Sequence, residues 1–334
     1  MKQYLEQVFS GTDLSTDQAS DFFNQVIQGE IDPIILSSML TALKIKGEQP
    51  SEYTGAARAS LANARPFPSP DYDFCDIVGT GGDGHNTINI STTSAFVAAS
   101  LGVKVAKHGN RSVSSLSGSS DLLNQLGVNI EMTPETARKC LDELNLCFLF
   151  APQYHAGFRH AAPVRQTLKT RTIFNVLGPL VNPARPTHQL LGVYSPNLIK
   201  PIAETLVELG LKRALVVHGA GLDEVAVHGE TQVAELKDGE LSYYTLTPSD
   251  FGVSQYPLGE IAGGTPERNC QVTELLLQGK ASPAQTAAVA VNVAALLRAT
   301  GVQDDFKVGV EMAIAEMQSG RPMELCQRLA EMSQ

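Results

Sequence analysis

Four glycines within six positions, Gly79, Gly81, Gly82 and Gly84, follow the apolar run Phe74–Val78 and lead into Thr87, Asn89, Ser91 and Thr92. Without a Cβ, such a backbone can bring several N–H groups to one anion, and a following helix adds the positive end of its dipole. The stretch therefore reads as strand, phosphate loop and helix, and Asp83 adds a polar group that packing alone does not require. A second cluster, Lys107, His108, Asn110 and Arg111, runs into Ser112, Ser114, Ser115, Ser117 and Ser119. It too follows an apolar run, so its cations and hydroxyls should stand beside the glycine loop, where they suit a phosphate-bearing substrate. A third feature is the acid pair Asp223-Glu224, placed after an apolar run ending at His218 and after Gly219 and Gly221. Two adjacent acids are most often a solvated turn; a position beyond a strand end and a glycine pair strengthens the case for a metal site without deciding it.

Two familiar phosphate motifs are excluded by the same residues. Gly79, Gly81 and Gly84 match G-x-G-x-x-G, yet the dinucleotide fingerprint needs a helix at once and an acid ~20 residues on. Here His85–Ser91 intervene, and Lys104 and Lys107 stand where the acid would be. The P-loop fails because His85 and Asn86, rather than Lys and Ser or Thr, follow Gly84.

The elements that must position these loops follow from periodicity. Residues 1–66 read as a small all-helical domain: Ser15 and Gln18 form a capping box, Asp32-Pro33 opens a second helix, and Ser51 is the expected cap of a third. The second helix, IILSSMLTALKI, is apolar on most faces and should be covered. Pro66, Pro68 and Pro70 then impose an extended linker. Residues 71–334 alternate strand and helix, which predicts a large α/β domain with a mainly parallel central sheet. Strands are expected at Phe74–Val78, Val103–Ala106, Val128–Glu131, Leu146–Phe150, Gln189–Tyr194 and Ala214–His218. Two more flank the turn Asp238-Gly239, at Val225–Leu236 and Leu241–Leu246. Helices are expected at Thr93–Leu101, Ser120–Leu126, Pro134–Leu144, Leu198–Leu209, Pro283–Thr300 and Asp305–Ser319. In such sheets ligands collect at the carboxyl ends of the strands, where the glycine loop lies.

Composition narrows the function classes. A chain of 334 residues with 43% hydrophobic and 18% charged residues is globular. Its net charge of −10 argues against nonspecific binding to nucleic acid, so an anion must be held in a local pocket. The five scattered cysteines contain no C-x-x-C pair, the first residues lack a signal-peptide pattern, and no apolar stretch is long enough to span a membrane. A cytoplasmic, reducing location is the expectation.

The motifs GTGGDG with NIST, KHGNRSVSSLSGSSDLL, and NVLGPLVNP at Asn175–Pro183 are long enough to be specific, and across the whole chain the sequence resembles the anthranilate phosphoribosyltransferases of the tryptophan pathway. The resemblance implies a helical domain joined by helices from about 156–185, a homodimer formed through that domain, and Mg²⁺, two ions per subunit. It implies transfer of the phosphoribosyl group of phosphoribosyl pyrophosphate to the amine of anthranilate, with release of pyrophosphate. By the same resemblance, Gly79, Gly82, Asp83, Thr87, Asn89, Ser91, Thr92, Lys107, Ser115 and Ser119 contact phosphoribosyl pyrophosphate. Gly79, Asn110 and Arg165 contact anthranilate, and Ser91, Asp223 and Glu224 hold metal.

The residues agree with that chemistry. Losing pyrophosphate from C1 of a ribose develops charge that a site stabilises mainly by positioning, and an aromatic amine needs no Ser-His-Asp or Cys-His activation. Mg²⁺ takes one or two carboxylates along with substrate phosphates. Anthranilate carries a carboxylate suited to a forked guanidinium, although Arg159, Lys169 and Arg171 share the segment and only the resemblance separates Arg165 from Arg171. A proton acceptor is expected at His108 or Asp83. Ile88 and the pair His155-Ala156 depart from the pattern, where phenylalanine and His-Pro are common. The competing readings are a pyrimidine nucleoside phosphorylase of the same fold, for which an acid pair would be unnecessary, and a noncatalytic nucleic-acid-binding relative, which the net charge disfavours.

Overall fold

The computed structural model describes residues 2–111 and 116–334. Four helices open it: α1 (Lys2–Phe9), α2 (Thr16–Gln28), α3 (Pro33–Lys46) and α4 (Pro50–Ala62). Their ends follow local chemistry. The Ser15 hydroxyl accepts from the Gln18 N–H while Gln18 answers to the Ser15 N–H, and Gly29 closes α2 in the left-handed conformation at φ 78°. Asp32 caps α3 by accepting from the Ile34 N–H at 2.8 Å, with Pro33 in the first turn. The cap of α4 is Gln49 rather than Ser51: Pro50 fits the first helical position, and the Ser51 hydroxyl instead donates to the Leu14 carbonyl. Helix α3 is not covered all round. Leu36, Met39, Leu40 and Leu43 are buried, whereas Ile34 and Ile45 are 76% and 81% exposed.

The rest alternates: β1 (Cys75–Gly79), α5 (Ile90–Ser100), β2 (Val105–Gly109), α6 (Ser119–Gln125), α7 (Pro134–Leu144), β3 (Leu146–Phe150) and α8 (Ala151–Tyr154). Then come α9 (Ala162–Leu168), α10 (Phe174–Leu177), β4 (His188–Gly192), α11 (Ile199–Glu208), β5 (Arg213–Gly219), β6 (Thr231–Lys237) and β7 (Glu240–Leu246). Four helices close the chain: α12 (Pro266–Leu277), α13 (Pro283–Thr300), α14 (Phe306–Ser319) and α15 (Arg321–Met332). The sheet order is β3-β2-β1-β4-β5-β6-β7, parallel from β3 through β5 and antiparallel at β6 and β7.

Alternation along the strands sends side chains to two cores. Leu190, Leu215 and Val217 face α5, α13 and the last helices. Leu191, Val193 and Val216 face α11 and the core that continues into α2–α4. The helical residues 156–177 pack on the opening helices, α9 against α3 and α10 against α4.

Two expected strands are corrected. Val128–Glu131 forms no strand: its apolar residues Val128 and Ile130 are buried, but the backbone turns after the left-handed Gly127. The Asn129 N–H there donates to the Ser333 hydroxyl at 2.9 Å, and the Asn129 side chain accepts from the Glu131 N–H. The strand expected from Val225 begins only at Thr231, because the Val225 N–H is taken by the Asn292 side chain and the Ala226 N–H by the Thr231 hydroxyl. Helix α5 starts at Ile90, three residues earlier than expected.

Candidate active site

Strand β1 lies beside β4, and the chain leaves β1 towards β2 but β4 towards β5, so the two connections diverge and open a crevice at the carboxyl ends of these strands. The glycine loop occupies that end. Gly81, Gly82 and Gly84 have φ of 67°, 77° and 84°, the left-handed region that a side chain would strain. The Gly81 N–H donates to Asp223 Oδ2 at 2.6 Å, and the Asp83 carboxylate accepts from the His85 N–H at 3.0 Å.

The acid pair is brought in by glycines at strand ends. A Cβ on Gly79 would overlap the Asp223 carboxylate oxygen, one on Gly192 would overlap the Asp223 backbone, and one on Gly219 would overlap the Glu224 carbonyl. Three strands ending in glycine thus let residues 222–225 lie across the sheet edge. The Ser91 hydroxyl and N–H, in the first turn of α5, both donate to Glu224 Oε1, the latter at 3.2 Å. Burial, then the neighbouring Glu224 and Asp83 charges, push the Asp223 carboxyl well above the ordinary carboxylate range. Burial also raises Glu224 to about 7, against the pull of Ser91 and Lys107. This is a site short of positive charge. Among the described residues no group of three or more His, Cys, Asp or Glu side chains is arranged to hold a metal ion. Two crowded carboxylates and a hydroxyl fit Mg²⁺ that completes its shell with water and phosphate oxygens.

Lys107 and His108 sit on β2, and His108 is buried rather than in the loop where the sequence placed it. The Lys107 ammonium donates to the Ile77 carbonyl at 2.5 Å; burial lowers its pKa, while Asp76, Glu224 and Asp223 pull it back up. Burial, and after it the neighbouring His155, lowers His108 to about 3. Its Nδ1 faces the Gly178 carbonyl at 3.1 Å and so carries the proton, leaving Nε2 buried with no partner.

A row of rings runs from His108 through His155 and Phe158 to Phe174, with centroids 5.3, 5.3 and 5.7 Å apart. At its far end the Arg165 guanidinium lies 5.3 Å from the Phe174 centroid. Burial lowers its pKa, and it has no ion-pair or hydrogen-bond partner among the described residues. Arg171 differs: it stacks on Tyr194 and donates to the Gly82 carbonyl. The structure therefore separates two arginines that residue types alone did not. A row of rings ending in an unpaired guanidinium suits an aromatic carboxylate.

The remaining expected residues form the rim. Asn89 does not cap α5 with its side chain; it donates to the Ser117 carbonyl at 3.2 Å and accepts from Asn269 at 2.8 Å. The Ser119 hydroxyl donates to the Asn110 carbonyl at 3.2 Å, and exposed Asn110 turns its side-chain oxygen to the Arg111 N–H. Thr92 is buried in α5, and Thr87 stands apart, bridged to Ala262. Ser115 lies outside the described residues. A cavity of about 320 Å³, lined in part by Arg58, Leu180, Arg185 and Leu206, opens at the opposite, amino end of β4.

Sequence reasoning missed Asp76 and Asn182. Asp76 is fully buried in β1; its carboxylate accepts from the Asn182 amide at 2.9 Å and from the His108 N–H at 3.3 Å, which fixes β2 and the 178–182 segment together. An acid inside the apolar run FCDIV was the available signal. Gly192, which ends LLG as Gly79 ends IVG, was readable as a strand-end glycine of the same kind.

The family model described as glycosyl transferase family, a/b domain, matches residues 71–323, and its helical bundle domain matches residues 2–64. The chain is 63% identical to the anthranilate phosphoribosyltransferase of Tolumonas auensis over 98% of each chain. It is 64% identical to that of Psychromonas ingrahamii, over 99% of this chain and 98% of the relative. Among solved structures it is similar to the anthranilate phosphoribosyltransferase of Thermus thermophilus, with a TM-score of 0.94, 41% identity and 98% of both chains covered. It is also similar to the Saccharomyces cerevisiae enzyme in complex with PRPP and Mg, with a TM-score of 0.90, 29% identity, and 99% and 97% covered.

Proposed function

The chain belongs to the glycosyl transferase family of the anthranilate phosphoribosyltransferases, and from that premise we infer that it transfers the phosphoribosyl group of phosphoribosyl pyrophosphate to the amine of anthranilate in tryptophan biosynthesis. The observation that carries this reading is the pairing of two unmet charges. Crowded carboxylates face the glycine loop, and an unpaired guanidinium ends the ring row.

In the proposed division, Gly79, Gly82, Asn89, Thr92, Thr87, Ser115, Ser119 and Lys107 line the donor subsite. The amides of Gly82, Asp83 and Gly84 have no partner among the described residues and are available to phosphate oxygens. Ser91, Asp223 and Glu224 would hold Mg²⁺, two ions per subunit, and the metal would supply positive charge to offset that of the pyrophosphate leaving group. Arg165 takes the anthranilate carboxylate and Asn110 the rim of that subsite. His108, neutral by burial, accepts a hydrogen bond from the amine at Nε2 and orients its lone pair toward C1. A group held near 3 does not retain a proton at neutral pH, so Asp83 is the proposed acceptor of the proton that the amine loses. Both subunits of a homodimer would cover the exposed Ile34 and Ile45 of α3 and Phe9 of α1. No helix among the described residues is long and apolar enough to cross a membrane, and five free cysteines support a reducing, cytoplasmic setting.

Calorimetric titration tests the division. Asp223→Asn with Glu224→Gln should abolish the Mg²⁺-dependent part of phosphoribosyl pyrophosphate affinity and spare anthranilate. Arg165→Ala should do the reverse. The same defect in both variants would refute the assignment.

A further inference from the structure

Arg171 is exposed, so its side chain is held by specific contacts rather than by burial. Its guanidinium carbon lies 4.2 Å from the Tyr194 ring centroid, and Nη2 donates to the Gly82 carbonyl in the middle of the glycine loop. Tyr194 is itself tied to the base of that loop: its N–H donates to the Thr80 hydroxyl at 3.1 Å, and the Thr80 N–H donates to the Gly192 carbonyl at 2.9 Å. On the other side, Thr170 accepts from the Lys44 ammonium of α3, and the Thr172 N–H donates to the Asn175 side chain at 3.0 Å. Lys169, in the left-handed conformation at φ 46°, ends α9 and turns the chain toward these contacts. Arg171 is thus the link between the segment that carries Arg165, six residues earlier, and the loop that carries Asp83.

We propose that Arg171 is a positioning residue that fixes the glycine loop against the Arg165 segment through Tyr194, setting the donor and amine subsites in register. This rests on the functional reading above. A planar cation is required because one face stacks on the ring while an edge donates to a carbonyl; a lysine ammonium can do only one of these well.

The test compares Arg171→Ala, Arg171→Lys, Tyr194→Ala and the Arg171→Ala/Tyr194→Ala double variant. Amide hydrogen exchange over residues 79–86 should quicken in both alanine variants, and KM for phosphoribosyl pyrophosphate should rise about tenfold while kcat changes much less, since one stacking contact and one charged hydrogen bond are lost. The double variant should be no worse than either single one, because the two residues act as one unit, and Arg171→Lys should restore little. Additive defects, full rescue by lysine, or wild-type exchange and KM in Arg171→Ala would each overturn the proposal. An inactive wild type would instead overturn the functional reading, and the exchange measurement would still decide the structural link.

Discussion

Gly79→Ala adds one methyl group at the point where Asp223, the proposed metal ligand, crosses the sheet edge. Gly79 is not in the left-handed region, so alanine costs no backbone strain there. Its Cβ would overlap Asp223 Oδ2 and stand 2.8 Å from Asp223 Cγ. Carbon atoms in ordinary contact are roughly 3.5–4.0 Å apart, so the carboxylate must retreat by about 1 Å. That retreat also breaks the 2.6 Å bond from the Gly81 N–H. A displacement of about 1 Å at a reacting centre costs on the order of 10²-fold, near 3 kcal/mol of transition-state stabilisation. The expected result is a drop of that size in kcat/KM together with a higher Mg²⁺ requirement, measured by initial rates over a Mg²⁺ series. Gly259→Ala is the control, since its Cβ would meet nothing within 4 Å. Wild-type kcat/KM and Mg²⁺ dependence in Gly79→Ala would refute the placement of Asp223 as a metal ligand.

Arg165→Ala should raise KM for anthranilate about tenfold to a hundredfold, the worth of a charge-assisted hydrogen bond, with KM for phosphoribosyl pyrophosphate unchanged in steady-state assays. His108 is held near 3 in the fold against an ordinary value of 6.5, so the unfolded chain binds its proton more readily. Its contribution to stability is fully present above pH 6.5 and is lost as pH falls toward 3. Urea unfolding at several pH values should therefore show His108→Asn losing about 1.4 kcal/mol per pH unit less than wild type across that window; parallel profiles would contradict it. Asn182→Ala should destabilise by about 2–4 kcal/mol in the same assay, because it strands the buried Asp76 carboxylate and the Ala106 carbonyl.

Local order was readable because it is written in neighbouring residues. The capping box at Ser15, the Asp32-Pro33 start of α3, the span of α7 and the glycine loop all depend on contacts within a few positions, and all stand where the sequence put them. Val128–Glu131 had the alternation of a strand, but Gly127 and the Ser333 contact turn it, and Ser333 is 204 residues away. Similarly, nothing local showed that α3 leaves Ile34 and Ile45 uncovered. At the site, the residue types were legible and their relations were not. Asp223 meets Gly79 only because β4 lies beside β1 and β5 beside β4, an order fixed by packing over the whole sheet. The burial that keeps His108 neutral comes from the 178–182 segment and His155, both far along the chain.

The most direct test of the central claim is to incubate the protein with anthranilate, phosphoribosyl pyrophosphate and Mg²⁺, following the loss of anthranilate fluorescence alongside pyrophosphate release. One pyrophosphate should be released for each anthranilate consumed, in wild-type protein only when Mg²⁺ is present, with a severe loss of rate in Asp223→Asn/Glu224→Gln. No consumption of anthranilate at any Mg²⁺ concentration would contradict that claim.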